Sequence, residues 1–131
     1  MQHHGSFDGA RKGKTNDAGA GWVLDGHGHH RYLGNTVTSN QAEYMALIAL
    51  LKQAIQQGIN TLHVKGDSQL IVQQVVGGYQ CRHYKLIPLL QQVRDLEKEL
   101  LVTYEWVPRK ENQAADFEAN RAIEQKSMVP I

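Results

Sequence analysis

The stretch that decides the fold of this 131-residue chain is Thr61–Ser68, which reads TLHVKGDS. Residues 61–65 alternate between polar and apolar side chains, as a half-buried strand does, and Gly66-Asp67 ends the alternation. From Ser68 to Val76 the pattern becomes helical, and a pair of glycines then stops it. The segment therefore predicts a strand, a tight turn and a helix, with an acidic side chain at the carboxyl end of the strand.

The segment before this unit predicts a long helix from Asn40 to Gln57. Asn40 is the expected N-cap, Glu43 stands three residues later as its capping-box partner, and Gly58 ends the helix. Apolar residues occupy most sides of this helix. Because a helix that is apolar nearly all round is a buried one, we expect it to pack against a sheet.

Two short stretches near the start of the chain predict a β-hairpin. They cover residues 20–25 and 31–37 and flank an expected turn over residues 26–30. A further strand is expected near residues 5–10. Its own pattern is weak, so this strand is inferred mainly from the elements that follow it.

The second half of the chain completes the pattern. A helix is expected over about 85–100, a strand over 102–107, a basic loop over 108–111, and a last helix that Asn112 caps and that ends near Ile123. The order β-β-β-α-β-α-α-β-α predicts an α/β fold in which helices flank a mixed five-stranded sheet. We expect one domain over residues 1–131, with its core at about 5–124 and a frayed tail at 125–131.

Composition excludes several classes of protein. Fourteen Lys and Arg residues against thirteen Asp and Glu residues give a net charge of +1, so a polyanion would be held by local patches rather than by a global field. The single cysteine, Cys81, has no partner for an internal disulfide, which favours a reducing compartment. The chain has no signal-peptide pattern and no apolar run of membrane-spanning length. We expect a cytoplasmic monomer that does not bind membranes.

Some conspicuous side chains have ordinary interpretations. His27, His29 and His30 offer donors that a transition metal accepts, but a polar hairpin turn is the favoured interpretation. Trp22 and Trp106 are expected in the core.

Four acidic residues stand among apolar or small neighbours: Asp8, Glu43, Asp67 and Asp116. A carboxylate in such surroundings is costly to ionise unless it is paired, hydrogen-bonded or bound to a metal. If the first and fourth strands are parallel neighbours, their acids lie side by side at the edge where open α/β sheets bind ligands. Oxygen ligands of this kind suit Mg²⁺ or Mn²⁺. Taken singly, Glu43, Asp67 and Asp116 are also explained by helix capping or by a helix dipole.

Five motifs that carry these acids resemble those of type 1 ribonuclease H, particularly its short archaeal and plant-like forms. They run in the family's order and cover nearly the whole chain: residues 7–10 (FDGA), 18–22 (AGAGW), 38–44 (TSNQAEY), 66–70 (GDSQL) and 112–116 (NQAAD). The resemblance implies the ribonuclease H fold and endonucleolytic cleavage of the RNA strand of an RNA–DNA hybrid.

The resemblance also implies roles for individual residues. Asp8, Glu43, Asp67 and Asp116 match the catalytic and metal-binding carboxylates, which in the family hold two Mg²⁺ or Mn²⁺ ions when substrate is bound. The implied products carry 5′-phosphate and 3′-hydroxyl ends. The residues expected to contact the hybrid are Gly9, Ala10, Arg11, Lys12, Lys14, Asn40, Gln69 and Arg109.

The chain departs from many relatives in three ways. Lys14 stands where relatives carry a hybrid-contacting Asn, the basic protrusion of bacterial relatives is absent, and the loop at 108–111 lacks the histidine that often precedes Asp116. Binding of the hybrid would then depend on scattered basic residues, so we expect the affinity for the hybrid to be modest and sensitive to salt.

Two other function classes remain open at this stage. A non-catalytic module that binds hybrids or double-stranded RNA usually lacks one of the carboxylates, and here none is missing. A different nuclease or strand-transfer enzyme on the same fold would use other spacings of its acids.

Overall fold

The structure, a computed structural model, describes residues 2–128 and contains one five-stranded sheet. The strands lie in the order β3-β2-β1-β4-β5, in which β1 is antiparallel to β2 and parallel to β4. The elements are β1 (His3–Arg11), β2 (Ala18–Leu24), β3 (His27–Tyr32), α1 (Ser39–Gln56), β4 (Thr61–Gly66), α2 (Gln69–Val76), α3 (Ile87–Leu96), β5 (Leu101–Trp106), a 3₁₀ turn (Arg109–Glu111) and α4 (Gln113–Met128). The predicted fold class and element order are confirmed.

Helices cover the sheet on two sides. On one face α1 packs against β1 and β2, and α3 packs on α1; on the other face α4 packs against β2 and β3. Phe7, Leu47, Leu50 and Leu62 are fully buried between the sheet and α1. The predicted burial of the long helix against a sheet is therefore confirmed.

The hairpin turn comes earlier in the chain than the predicted loop over residues 26–30. The chain reverses at Asp25-Gly26, both of which have positive φ angles, and β3 begins at His27. An Asp-Gly pair is strongly favoured in a two-residue hairpin turn because glycine adopts positive φ without steric cost. The predicted hairpin is confirmed, but its turn lies at residues 25–26 instead of 26–30, and its second strand covers 27–32 instead of 31–37.

The histidines of β3 consequently lie on a strand and not in a turn. His29 points toward α1 and contacts Gln53, whereas His30 points toward α4 and contacts Glu118 and Gln125. Alternation along the strand thus sends neighbouring histidines to opposite faces of the sheet.

The N-cap of α1 lies two residues earlier than predicted, at Thr38 instead of Asn40. The Thr38 hydroxyl accepts a hydrogen bond from the Gln41 backbone N–H, and the Gln41 side chain accepts one from the Thr38 N–H. Asn40 is instead the second residue of the helix, and Glu43 lies beyond its first turn. Because another residue pair forms the capping box, the Glu43 carboxylate is not needed as a cap.

The remaining elements differ from prediction at their ends. The third helix covers only Ile87–Leu96, because residues 97–100 form turns before β5. The last helix continues past Ile123 to Met128, so residues 125–128 of the expected tail are helical and residues 129–131 lie outside the described part of the chain. Within residues 2–128, no helix has the length and apolar character needed to span a membrane.

A carboxylate cleft as the candidate active site

Three of the four predicted acids meet at the carboxyl ends of the two central parallel strands. Asp8 lies in β1, Asp67 directly follows β4, and the register pairs Phe7 with Gly66, one residue before each acid. Glu43 arrives from α1. One carboxylate oxygen from each of the three lies within 4.8 Å of the other two. The predicted parallel pairing of the first and fourth strands is confirmed, and it brings the acids together.

Gly9 lets α1 approach this closely. A Cβ atom at Gly9 would lie 2.5 Å from the backbone nitrogen of Glu43 and 2.6 Å from the carbonyl carbon of Ala42. No side chain fits into that space without moving the helix. The absence of a side chain next to Asp8 therefore sets the distance between β1 and Glu43.

Burial makes this cluster electrostatically unfavourable in the absence of a cation. Asp8 is 4% exposed and Glu43 is 8% exposed. Burial raises the pKa of Asp8 far above its usual range, and the nearby Glu43 and Asp67 carboxyls raise it further. Burial also raises the pKa of Glu43, although the Asp8 side chain, the Gly9 backbone N–H and the Arg109 charge act in the opposite direction.

The residues present fit a divalent cation. The Glu43 Oε2 atom is buried and has no hydrogen-bond partner, which is costly for a carboxylate oxygen. The three converging side chains offer only hard oxygen donors, the kind of ligand that Mg²⁺ and Mn²⁺ prefer. A bound cation would supply the missing partner of Glu43 and offset the repulsion between the acids.

Asp116 lines the same cleft, outside the group of three, and its side chain lies close enough to the Asp8 carboxyl to help raise the pKa of Asp8. It lies in the first turn of α4, and its Oδ1 is 3.6 Å from an Arg109 guanidinium nitrogen. The cleft has a volume of about 320 Å³. The structure thus places all four predicted acids around one cleft, with Asp116 at its wall.

Asn112, predicted only as a helix cap, contacts the site. Its side-chain nitrogen donates to the Phe7 carbonyl and to Asp67 Oδ2, both at 3.0 Å. It is 3% exposed, and its Oδ1 has no partner. Asn112 therefore ties β1 to the Asp67 carboxylate.

Asn120 was missed at the sequence level. Its side-chain nitrogen donates to the Asp116 carbonyl at 2.9 Å and to Asp116 Oδ1 at 3.3 Å, while its Oδ1 accepts from Lys12 Nζ at 3.1 Å. The signal that would have found it is its position one helical turn after Asp116, where the two side chains share a face. Asn120 connects the basic loop after β1 to the acid of α4.

Of the two tryptophans, one was predicted correctly. Trp22 is buried, but Trp106 is 45% exposed, and its indole N–H donates to the Asp67 carbonyl at 3.1 Å. The prediction of a core position for Trp106 was wrong because β5 is the edge strand and its end lies beside the cleft.

The predicted substrate contacts divide into two groups. Five of them line the cleft: Gly9, Ala10, Arg11, Lys12 and Arg109. The other three are exposed and lie outside the cleft lining: Lys14, in the loop after β1, Asn40, near the start of α1, and Gln69, the first residue of α2. A contact with substrate stays a prediction for all eight.

Comparison with known proteins places this arrangement in a family. Residues 6–122 match the family model described as reverse transcriptase-like. Ribonuclease HI of Halobacterium salinarum is 39% identical over 92% of this chain, and the chain spans 64% of that protein's length. The bifunctional protein Rv2228c of Mycobacterium tuberculosis is 36% identical over 89% of this chain, which covers 34% of its length.

Solved structures give the same result. The crystal structure of RNase H1 from Halobacterium salinarum superposes with a TM-score of 0.88 at 35% identity, over 95% of this chain and 99% of that one. LC11-RNase H1, solved in complex with an RNA/DNA hybrid, also has a TM-score of 0.88, at 28% identity and the same coverage of both chains.

Proposed function

The chain belongs to the reverse transcriptase-like family and is a ribonuclease H-like domain, and on that basis we propose that it hydrolyses the RNA strand of RNA–DNA hybrids. The observation that carries the proposal is the convergence of Asp8, Glu43 and Asp67 within 4.8 Å, with a buried Glu43 oxygen that lacks a partner. The relatives' printed names supply the substrate class.

Asp8, Glu43 and Asp67 would hold divalent metal, with Asp116 completing the set from the cleft wall. Two such ions, Mg²⁺ or Mn²⁺, would activate water for attack on the phosphodiester and stabilise the leaving 3′-oxygen, which gives 5′-phosphate and 3′-hydroxyl ends. The carboxylates need only be fixed in place and deprotonated for this chemistry. Asn112 and Gly9 serve that purpose, because one holds Asp67 and the other admits Glu43.

The basic residues of the cleft would bind the backbone of the hybrid. Arg11, Lys12 and Arg109 line the cleft, and Asn120 fixes the Lys12 ammonium near Asp116. Cations at these places neutralise phosphates and position the strand without reading sequence. Because an arginine stays protonated, Arg109 contributes charge and does not shuttle a proton.

Selection of a hybrid would depend on contacts with the RNA 2′-hydroxyl groups. Asn40 and Gln69 carry exposed amides at the starts of α1 and α2. Helix α1 also carries Glu43, and α2 begins two residues after Asp67. An amide both donates to and accepts from a hydroxyl group, and the 2′-hydroxyl distinguishes RNA from DNA.

The test is cleavage of a labelled RNA–DNA hybrid with Mg²⁺ or Mn²⁺, with mapping of the product ends. We expect the wild-type protein to cut the RNA strand, Asp67→Asn to be inactive, and Asp95→Asn, which removes an exposed acid of α3, to behave as wild type. Equal activity of the wild type and Asp67→Asn would remove the assignment. Binding of the hybrid without cleavage would indicate a non-catalytic module, and cutting of double-stranded DNA would indicate another nuclease.

A further inference from the structure

Asn120 of α4 lies between a cation and an anion of the carboxylate cleft. It is half-buried and lines the cleft one helical turn after Asp116. Its side-chain nitrogen donates to the Asp116 carbonyl at 2.9 Å and to Asp116 Oδ1 at 3.3 Å, and its Oδ1 accepts from Lys12 Nζ at 3.1 Å. Both ends of the amide are therefore occupied by groups with separate tasks in the proposed function, phosphate binding for Lys12 and metal binding for Asp116.

The chemistry of these two neighbours calls for a side chain that both donates and accepts. An ammonium group only donates hydrogen bonds, whereas a carboxylate and a backbone carbonyl only accept them. An aspartate at position 120 would offer no donor to Asp116, and a lysine or an arginine there would offer no acceptor to Lys12. The amide of Asn120 satisfies both neighbours at once.

The loop that carries Lys12 is itself closed and anchored. The Lys12 N–H donates to the Asp17 carbonyl, and the Asn16 N–H donates to the Lys12 carbonyl, both at 2.8 Å. Asp17 is 8% exposed, and its carboxylate accepts from the Tyr32 hydroxyl. Because this loop fixes its backbone and Asn120 fixes its ammonium, Lys12 loses less conformational freedom on binding a phosphate than a free lysine does.

Lys12 and Asp116 share Asn120 but do not pair with each other. In the described part of the chain, Lys12 takes part in no ion pair, and Asp116 pairs only with Arg109, at 3.6 Å. A direct ion pair between Lys12 and Asp116 would occupy the ammonium that is to bind a phosphate. It would also add a second counter-ion to the carboxylate that is to bind a divalent cation. The intervening amide keeps these two charges apart.

We propose that Asn120 is a positioning residue of the cleft, which holds the Lys12 ammonium in place for a phosphate of the hybrid and prevents it from pairing with Asp116. This inference rests on the proposed function, because it assigns Asn120 to the same site. It adds that strand binding at Lys12 and metal binding at Asp116 are coupled through one amide, so that removal of the amide weakens both.

The first test measures binding of a short, fluorescently labelled RNA–DNA hybrid by anisotropy in EDTA at low salt, where no turnover occurs. We expect Asn120→Ala to bind about two- to tenfold more weakly, the cost of ordering one free lysine side chain. The double variant Asn120→Ala/Lys12→Ala should bind no more weakly than Lys12→Ala alone, because Asn120 acts through Lys12.

The matched control for this test is Asn60→Ala. Asn60 is exposed and directly precedes β4, so it lies at the opposite end of that strand from Asp67. It does not line the cleft. The control variant should bind the hybrid as the wild type does.

The second test measures Mn²⁺ binding by calorimetric titration without hybrid. Asn120→Ala should bind Mn²⁺ about two- to fivefold more weakly, the effect of one exposed ion pair that Lys12 then forms with Asp116. Lys12→Ala should therefore raise the affinity for Mn²⁺ more in the Asn120→Ala protein than in the wild type. If Asn120 only stabilised the helix, Lys12→Ala would have the same effect on Mn²⁺ affinity in both proteins.

Thermal melting shows whether each variant is folded. Alanine is a better helix former than asparagine, so we expect α4 to stay intact in Asn120→Ala, and Asn120→Leu replaces that variant if it does not fold. Additive losses of hybrid affinity in the double variant, or equal effects of Lys12→Ala on Mn²⁺ affinity in the two proteins, would overturn the proposal. A wild-type protein that neither binds nor cuts the hybrid would remove the proposed function and this inference with it. A wild-type protein that cuts the hybrid, while Asn120→Ala binds it equally well, would remove this inference alone.

Discussion

The carboxylate cleft and the cluster of Trp22, His29 and Gln53, which we call the Trp22 cluster, both include a residue of α1, yet their polar groups are arranged in opposite ways. In the cleft, three acids crowd together and a buried Glu43 oxygen has no partner. In the cluster, the Trp22 indole N–H donates to Gln53 Oε1 at 2.7 Å, and the Gln53 side-chain nitrogen lies 2.8 Å from His29 Nε2. Unsatisfied buried polar groups are rare in folded proteins because each costs stability. The acids of the cleft therefore lack a partner that a bound cation would supply, whereas the polar groups of the Trp22 cluster pair with one another.

The largest effect is expected when one charge is removed from the cleft, which should abolish most of the activity. Asp8→Asn keeps the shape of the side chain but removes a proposed metal ligand. We expect the rate of hybrid cleavage to fall by at least about 10²–10³-fold, the cost of losing one element of electrostatic stabilisation. Steady-state cleavage with Mg²⁺ measures it. Activity within tenfold of wild type would show that Asp8 is dispensable.

The same variant should be more stable than wild type when no metal is present. The raised pKa of Asp8 means that the fold favours its protonated form, so wild-type stability is lost as the pH rises above the ordinary value of 3.8. Asparagine does not titrate. In EDTA, the melting temperature of Asp8→Asn should therefore exceed that of the wild type by an amount that increases between pH 5 and pH 8. A difference in melting temperature that decreases with rising pH would contradict the expected repulsion.

The next prediction concerns the close approach of α1 to Gly9 of β1. Gly9→Ala places a methyl group against the backbone of Ala42 and Glu43, which cannot move without shifting the helix. We expect a stability loss of about 1–3 kcal/mol, the usual cost of overpacking, together with reduced cleavage. Chemical denaturation gives the first quantity. Gly13→Ala is the matched control, since a Cβ there meets nothing within 4 Å and should change neither quantity.

Asn112 offers a smaller perturbation. Asn112→Ala leaves the buried Phe7 carbonyl and the Asp67 carboxylate without their donor. Urea denaturation should show a loss of about 1–3 kcal/mol, the cost of leaving such groups unpaired. Asn112→Asp should lower the affinity for hybrid as well, because it adds a further negative charge to the cleft. Unchanged stability in Asn112→Ala would mean that water replaces the amide.

The smallest effect is expected in the Trp22 cluster. Gln53→Leu removes the partner of the Trp22 indole N–H and of His29. Because Gln53 is only half-buried, we expect a loss of about 1 kcal/mol in urea denaturation. A loss as large as that of Asn112→Ala would show that the Trp22 cluster is as tightly constrained as the cleft, and the contrast between the two regions would then fail.

The sequence predicted the elements that bring the acids together. The alternation before Gly66-Asp67 located β4, and the long apolar helix located Glu43 near its start. These are strong local patterns, each spanning many residues. The convergence was conditional on a parallel pairing of β1 and β4, and the sheet has that pairing.

Features set by single residues were harder to predict. Thr38 and Asn40 are both good capping residues, and only the backbone conformation shows that Thr38 takes the role. Residues 26–30 are rich in glycine and histidine and were predicted as the turn, although the pair Asp25-Gly26 just before them is a strong hairpin signal. Sequence did not predict the links from Asn112 and Asn120 to the acids, because these contacts depend on how α4 packs on the sheet.

The most direct test of the metal centre is a crystal of the metal-free protein soaked in Mn²⁺ and measured near the manganese absorption edge. We expect an anomalous peak between Asp8, Glu43 and Asp67, within coordination distance of their carboxylate oxygens, with Glu43 Oε2 among the atoms that it contacts. No peak at that position, or manganese bound only elsewhere on the surface, would contradict the central claim that these acids share a cation.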